Sequence, residues 1–219
     1  PLPHIALVDY YFRKKDTANA FSEIAEAFRN QNMAADQKIN ILISLYDIAT
    51  ANKEIRTAIY PLLDTLISKH GKSAKTCALY ADFLFLDSKF DMALDCYRDV
   101  IREDSSKFSI WDRLLESAYH SYNFTVLNRL GKRALQIFPN QAVFYYYRAV
   151  GQYFVNNQVD AKNTLETGMF FLTGDEGLKV KMSVLNIAVN NQLGNTQMVK
   201  DECSKLLSEG QPEAEDLLW

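Results

Sequence analysis

Apolar residues along the chain return at helical rather than strand spacing. Ile39, Ile43, Tyr46 and Ile48 form one such series, Leu62, Leu63, Leu66 and Ile67 another, and Phe83 to Leu86 a third. Spacings of three and four residues place these side chains on one face of a helix, which then needs a partner to cover it. Punctuation between the runs agrees. Asp36 and Asp104-Ser105-Ser106 offer N-cap groups, and Gly71 follows a run ending in Lys69-His70. Pro61 falls inside the apparent helix 53–69, where it is expected to kink or divide it.

A longer period is superimposed on the helical one. Cys77, Trp111 and Tyr145 are 34 residues apart, as are Ala81, Leu115 and Ala149. The same spacing relates Ala93, Leu127 and Ala161, and again Val100, Ala134 and Gly168. Four columns at one spacing describe a repeated helix–turn–helix unit. A single helix pair cannot cover its own apolar face, so neighbouring pairs must share a core.

These residues resemble the tetratricopeptide repeat (TPR). Its pattern places a large aromatic at repeat position 4, small residues at 8, 20 and 27, an aromatic or apolar residue at 24, and Pro at 32. The unit 108–141 carries Trp111, Ala134 and Pro139 at matching positions, 74–107 carries Ala81, Ala93 and Tyr97, and 142–175 carries Tyr145, Ala149 and Ala161. The flanks fit more loosely. Ala20, Ile24 and Ala27 reproduce the second-helix spacing, and an insertion of five residues around 30–37 restores the phase. Degenerate pairs are expected at 1–34, 40–73 and 178–211. The expectation is therefore an all-α, right-handed α-solenoid of about six helix pairs, forming one elongated domain over 1–219. Pro1 opens the sequence without Met, and it stops on Leu217-Leu218-Trp219. Both ends read as cuts through a longer chain.

The chain is similar to long multi-repeat TPR proteins of bacterial, Bacteroidetes-type cell envelopes, on the strength of Phe138-Pro139-Asn140-Gln141 and Trp111-Asp112-Arg113-Leu114-Leu115. That resemblance implies a non-catalytic scaffold holding a protein or peptide in a concave groove. It leaves the compartment open between the periplasmic side of an envelope and the cytoplasm. Groove positions carried over from the family are Asp82, Phe85 and Leu86, then Asp112, Glu116, Tyr119 and His120, then Tyr146, Val150, Tyr153 and Phe154. The surface they describe is aromatic with an acidic strip, suited to a segment with apolar anchors and basic character. Core packing competes for the aromatics, since Phe144-Tyr145-Tyr146-Tyr147 cannot all point one way. The chaperone-tail clamp of some TPR proteins is absent. Its positions hold Ala78, Leu79 and Asp82, then Asp112, Arg113 and Glu116, then Tyr146, Tyr147 and Val150, with Arg113 the sole cation among them.

Composition narrows the alternatives. A formal net charge of -3 gives no general attraction for nucleic acid or anionic membrane. Arg13-Lys14-Lys15 is too short to alter that. No run of 18 apolar residues exists to span a membrane. Three Cys make no disulfide framework and read as small buried hydrophobes. His4, His70 and His120 show no HxxxH, HExxH or CxxC company, and no nucleotide or acyl-nucleophile motif occurs. No cofactor, metal or catalytic residue is therefore expected. Two further readings stay open. The chain is a self-assembly module if Leu217, Leu218 and Trp219 begin a further unit or form an exposed homo-oligomer contact. It is an α-solenoid enzyme if an inward Glu such as Glu116 serves as a general acid.

Overall fold

A computed structural model describes residues 2–14, 16–30 and 32–209, and every regular element among them is helical. Leu217, Leu218 and Trp219, and with them the expected end contact, lie outside the described residues. By its contacts the chain divides into two compact units, Pro1–Ser105 and Ser106–Trp219.

The first unit contains α1 (Leu2–Arg13), α2 (Thr17–Arg29), α3 (Ala35–Ser44), α4 (Tyr46–Ala51), α5 (Lys53–His70), α6 (Ala74–Leu86) and α7 (Phe90–Glu103). Ala20, Ile24 and Ala27 are buried on α2, as their spacing required. A core runs from Ile24 and Phe28 through Leu42, Ile59, Leu63 and Leu66 to Leu79 and Phe83. Three expectations need correction. The first helix of the pair expected at 40–73 begins at Ala35 and is interrupted at Leu45, which separates α3 from α4. Pro61 neither ends nor divides α5, which continues to His70. Pro61 is exposed, so the carbonyl it leaves without a backbone donor can meet water, and its own carbonyl accepts from Thr65 Oγ1 at 2.8 Å. Asp36 also differs from expectation. It sits inside the first turn of α3, behind the N-cap Ala34, and pairs with Lys75 at 2.9 Å.

Polar groups tie this unit together. The Arg56 side chain donates to Asp87 at 2.6 Å and to the Ala49 carbonyl at 2.7 Å. Tyr60 donates to the other Asp87 oxygen at 2.7 Å, and Lys89 lies 4.3 Å from the Tyr60 ring centroid. Both partners of the Arg56–Asp87 pair are largely shielded. Burial alone would raise the Asp87 carboxyl. Hydrogen bonds from Tyr60 and Arg56, with the Arg56 charge, carry it below its ordinary value instead. Lys38 is buried too, with Nζ 3.3 Å from His70 Nε2, and burial followed by the Lys69 charge lowers its pKa.

The second unit contains α8 (Phe108–His120), α9 (Phe124–Ile137), α10 (Ala142–Phe154), α11 (Gln158–Met169), α12 (Glu176–Gln192) and α13 (Thr196–Glu209). The repeats expected at 108–141 and 142–175 are the hairpins α8–α9 and α10–α11, and 74–107 is α6–α7. Across the four 34-residue columns every residue is buried except Tyr145, which is half-buried. Trp111, at repeat position 4, has no exposed surface.

A fifth column belongs to the backbone. Ser88, Tyr122 and Asn156 all have positive φ, at 56°, 55° and 61°, and they are again 34 apart. Each sits in the turn inside a hairpin. The following amide reaches back to a helix carbonyl, Lys89 to Leu84 at 2.9 Å, Asn123 to Ala118 at 3.1 Å and Asn157 to Gln152 at 2.9 Å. This is the left-handed closure of a helix end that satisfies the last carbonyls. Close helix approach completes the second unit. A Cβ on Gly151 would lie 2.5 Å from the Asn128 nitrogen, and one on Gly131 2.8 Å from Arg148 Cβ, so α9 and α10 touch backbone to backbone.

Candidate functional site

The expected groove residues divide between the units. In the first, Asp82 on α6 accepts a short hydrogen bond from the Tyr97 hydroxyl, and Phe85 meets Phe90 edge-on at 5.1 Å. In the second, α8 and α10 bring Asp112, Glu116, Tyr119 and Tyr146 into one cluster. Asp112 and Glu116 are one helical turn apart and share a face of α8. Arg113 Nη1 donates to Glu116 at 2.9 Å, and Ser117 Oγ fastens to the Arg113 carbonyl at 2.7 Å. Tyr119 and Tyr146 are joined through their hydroxyls.

Val150 is fully buried and Tyr146 nearly so. Their side chains fill the interior between helices and leave the outer surface to their neighbours. Tyr147, half-buried, stands beside them. Its ring lies 6.0 Å from Tyr119 and 5.6 Å from Tyr146. Arg113 and Tyr147, both at repeat position 6 and outside the expected groove set, touch Glu116 and Tyr119 in this cluster. A position adjacent to two groove positions was the available signal. Tyr153 and Phe154 close the C-terminal end of α10 and diverge. Tyr153 Oη accepts from Gln192 Nε2 at 2.9 Å, whereas Phe154 stacks on Phe124 at 3.9 Å. His120 is exposed and meets Tyr119 edge-on at 5.2 Å.

Electrostatics single out the carboxylates. Burial raises the Asp112 pKa, and the Glu116 charge adds to the shift, while Arg113 opposes it. The Tyr147 phenol is held well above its ordinary value, by burial first and then by Glu116 and Asp112. Asp112 thus stays hard to ionise although Arg113 compensates part of the charge, and a further cation between α8 and α10 would ease it. Among the thiols, Cys96 on α7 is pushed up to about 11, chiefly by burial, and is no nucleophile at neutral pH. Among the described residues no group of three or more His, Cys, Asp or Glu is placed to hold a metal ion, and no helix is long and apolar enough to cross a membrane.

No protein-family model matches the sequence, and no curated protein matches it. Solved structures do. The chain is similar to PilW, a widely conserved type IV pilus biogenesis factor, with a TM-score of 0.63 at 14% identity over 98% of this chain and 94% of that one. It is similar to TTC0263, a thermophilic TPR protein in Thermus thermophilus, with a TM-score of 0.52 at 13% identity over 84% and 95%. The fold is that of the tetratricopeptide repeat. MamA of Desulfovibrio magneticus RS-1 aligns as well, with a TM-score of 0.66 at 9% identity over 80% and 96%. Identities this low transfer the TPR fold and nothing finer.

Proposed function

We propose that this TPR chain is a non-catalytic scaffold for a protein or peptide partner. In this reading Asp112 and Glu116 receive a Lys or Arg side chain of the bound segment, and Tyr119 and Tyr147 pack its apolar stem. The observation that carries the proposal is the raised Asp112 carboxyl beside Glu116. Burial first, and then the Glu116 charge, make the ionised Asp112 costly, and an arriving cation relieves that cost. Tyr suits the flanks, because its ring supplies area while its hydroxyl accepts water. PilW, a pilus biogenesis factor of the same fold, fits a scaffold better than an enzyme.

The deciding experiment is affinity capture from the native cell, followed by titration of the captured partner against wild-type and variant chains. Asp112→Lys with Glu116→Lys is expected to lower capture at least tenfold, with circular dichroism unchanged. Raising salt is expected to weaken wild-type capture as well. Unchanged capture by the double variant would remove this face from consideration. Asp112→Asn gives an independent reading. Because folding leaves this carboxyl harder to ionise, its charge destabilises the fold as pH rises from its unfolded value through its folded one. The Asn variant should therefore melt slightly above wild type at neutral pH while binding more weakly. A melting temperature at or below wild type would contradict the strain assigned to the pair.

A further inference from the structure

A row of aromatic rings continues the α8–α10 face beyond its carboxylates. Tyr119 meets Tyr147 at 6.0 Å and feels the Tyr122 phenol on its other side. Tyr122 in turn meets Phe124 edge-on at 6.1 Å, and Phe124 stacks on Phe154 at 3.9 Å. The far end of this row is open to water, with Tyr122 79% exposed and Phe154 39%. Rings that touch one another and stay wet form a contiguous apolar patch, which marks a contact surface where scattered single residues would not. Its position relative to the carboxylates follows from the repeat. Phe154 holds on α10 the place that His120 holds on α8, 34 residues earlier. That level lies about 9 Å of helical rise beyond the midpoint of Asp112 and Glu116.

The near end asks for a cation. Asp112 is half-buried, and no described residue donates a hydrogen bond to its carboxylate. The far end asks for an apolar group, and neither end is enclosed, so a ligand that uses both must be a chain. An extended polypeptide has the right pitch. At about 3.1 Å and a third of a turn per residue, side chains three apart share one side and stand about 9 Å from each other. A donor for its backbone is also present. Asn123, between Tyr122 and Phe124, caps α9 by accepting from the Val126 amide at 3.4 Å through Oδ1. That leaves Nδ2 to donate to a peptide carbonyl. Resting on the cation-binding reading above, we infer that this face takes an extended polypeptide segment, with a Lys or Arg on Asp112 and Glu116 and, three residues from it, a bulky apolar side chain on Phe124 and Phe154.

The test is NMR titration of the full chain with end-blocked peptides in which prolines separate a Lys from a Trp, because polyproline fixes the length per residue. Two prolines set the side chains on one side at the inferred spacing, and five keep them on one side at twice that distance. Saturable shifts of the Asn123 side-chain amide are expected with the shorter peptide, and binding at least fivefold weaker with the longer one. Exchanging the Trp of the shorter peptide for Ser should also cost at least fivefold. Phe154→Ser should erase that preference for Trp and leave the affinity of the Ser peptide unchanged. Tyr122→Asn, which spares the Phe124–Phe154 stack, should weaken the Trp peptide about threefold without lowering the melting temperature. Asp112→Lys with Glu116→Lys should weaken both peptides. If the charge variant loses binding while Phe154→Ser and Tyr122→Asn do not, the aromatic anchor is overturned and the cation reading stands. If the charge variant binds as wild type does, both fall. Equal affinity for the two spacer lengths, or no saturable shift with either, would overturn the inference. Octylamine, an ammonium with an apolar tail and no peptide group, should bind more weakly than the shorter peptide, and tighter binding would overturn the polypeptide assignment.

Discussion

The helices up to Asp87 and the hairpins from Phe108 onward solve one problem by different means. Each must hold antiparallel helices together without a covalent staple. The early region relies on buried polar groups, with Arg56, Tyr60 and Asp87 locking α5 to the end of α6 and Lys38 drawn inside against His70. The later region relies on closeness, with Gly131 and Gly151 letting α9 and α10 meet at backbone distance. Polar locks tolerate irregular helices, such as the break at Leu45 and the proline within α5. Backbone contact does not, and there the repeat is strict.

The contrast can be broken most forcefully at Asp87. Asp87→Ala strands a largely buried guanidinium and is expected to cost about 3–5 kcal/mol in chemical denaturation. Replacing Arg56 and Asp87 together by Met should recover most of that loss. A double variant as unstable as the single one would mean that the lock is not the source of cohesion. Gly151→Ala should cost about 1–3 kcal/mol, because the new methyl meets Asn128 backbone that cannot yield. Gly71→Ala, where nothing crowds the added carbon, should act only through its positive φ and cost about 1 kcal/mol.

Acid titration sharpens the comparison further. The folded Asp87 carboxyl lies below its ordinary value, so its stabilisation is complete above the unfolded pKa of about 3.9 and disappears as pH falls through the folded one. Stability of wild type should decline in that window, and Asp87→Ala should flatten the decline. The smallest effect belongs to Tyr122, which holds φ of 55°. Tyr122→Asn should add roughly 0.5–1 kcal/mol, because Asn enters left-handed backbone more easily. A loss on melting would show instead that the Tyr122 ring contributes packing.

The repeat was legible between Ala74 and Met169 because its columns are set by volume. Bulky Trp111 and small Ala81, Ala93 and Ala161 must stand where helices meet, and identity follows from space. The positive-φ column escaped notice because the turn constrains backbone alone, so Ser88, Tyr122 and Asn156 share no chemistry. Leu45 escaped for a related reason, since the apolar run through Ile39, Ile43 and Tyr46 continues across the break. In the candidate site, the helical register alone puts Asp112, Glu116 and Tyr119 on one face of α8. Val150 and Tyr146 were not distinguishable from Tyr147 by spacing alone, because adjacent tyrosines on one helix differ only in which neighbour they face.

The turns at Ser88, Tyr122 and Asn156 each close on a carbonyl of their own helix. A hairpin bounded this way carries its own instructions for reversing direction. Duplication or deletion of a thirty-four-residue block within the regular stretch would leave every corner intact, so lineages can lengthen or shorten such an array while the remaining pairs keep folding.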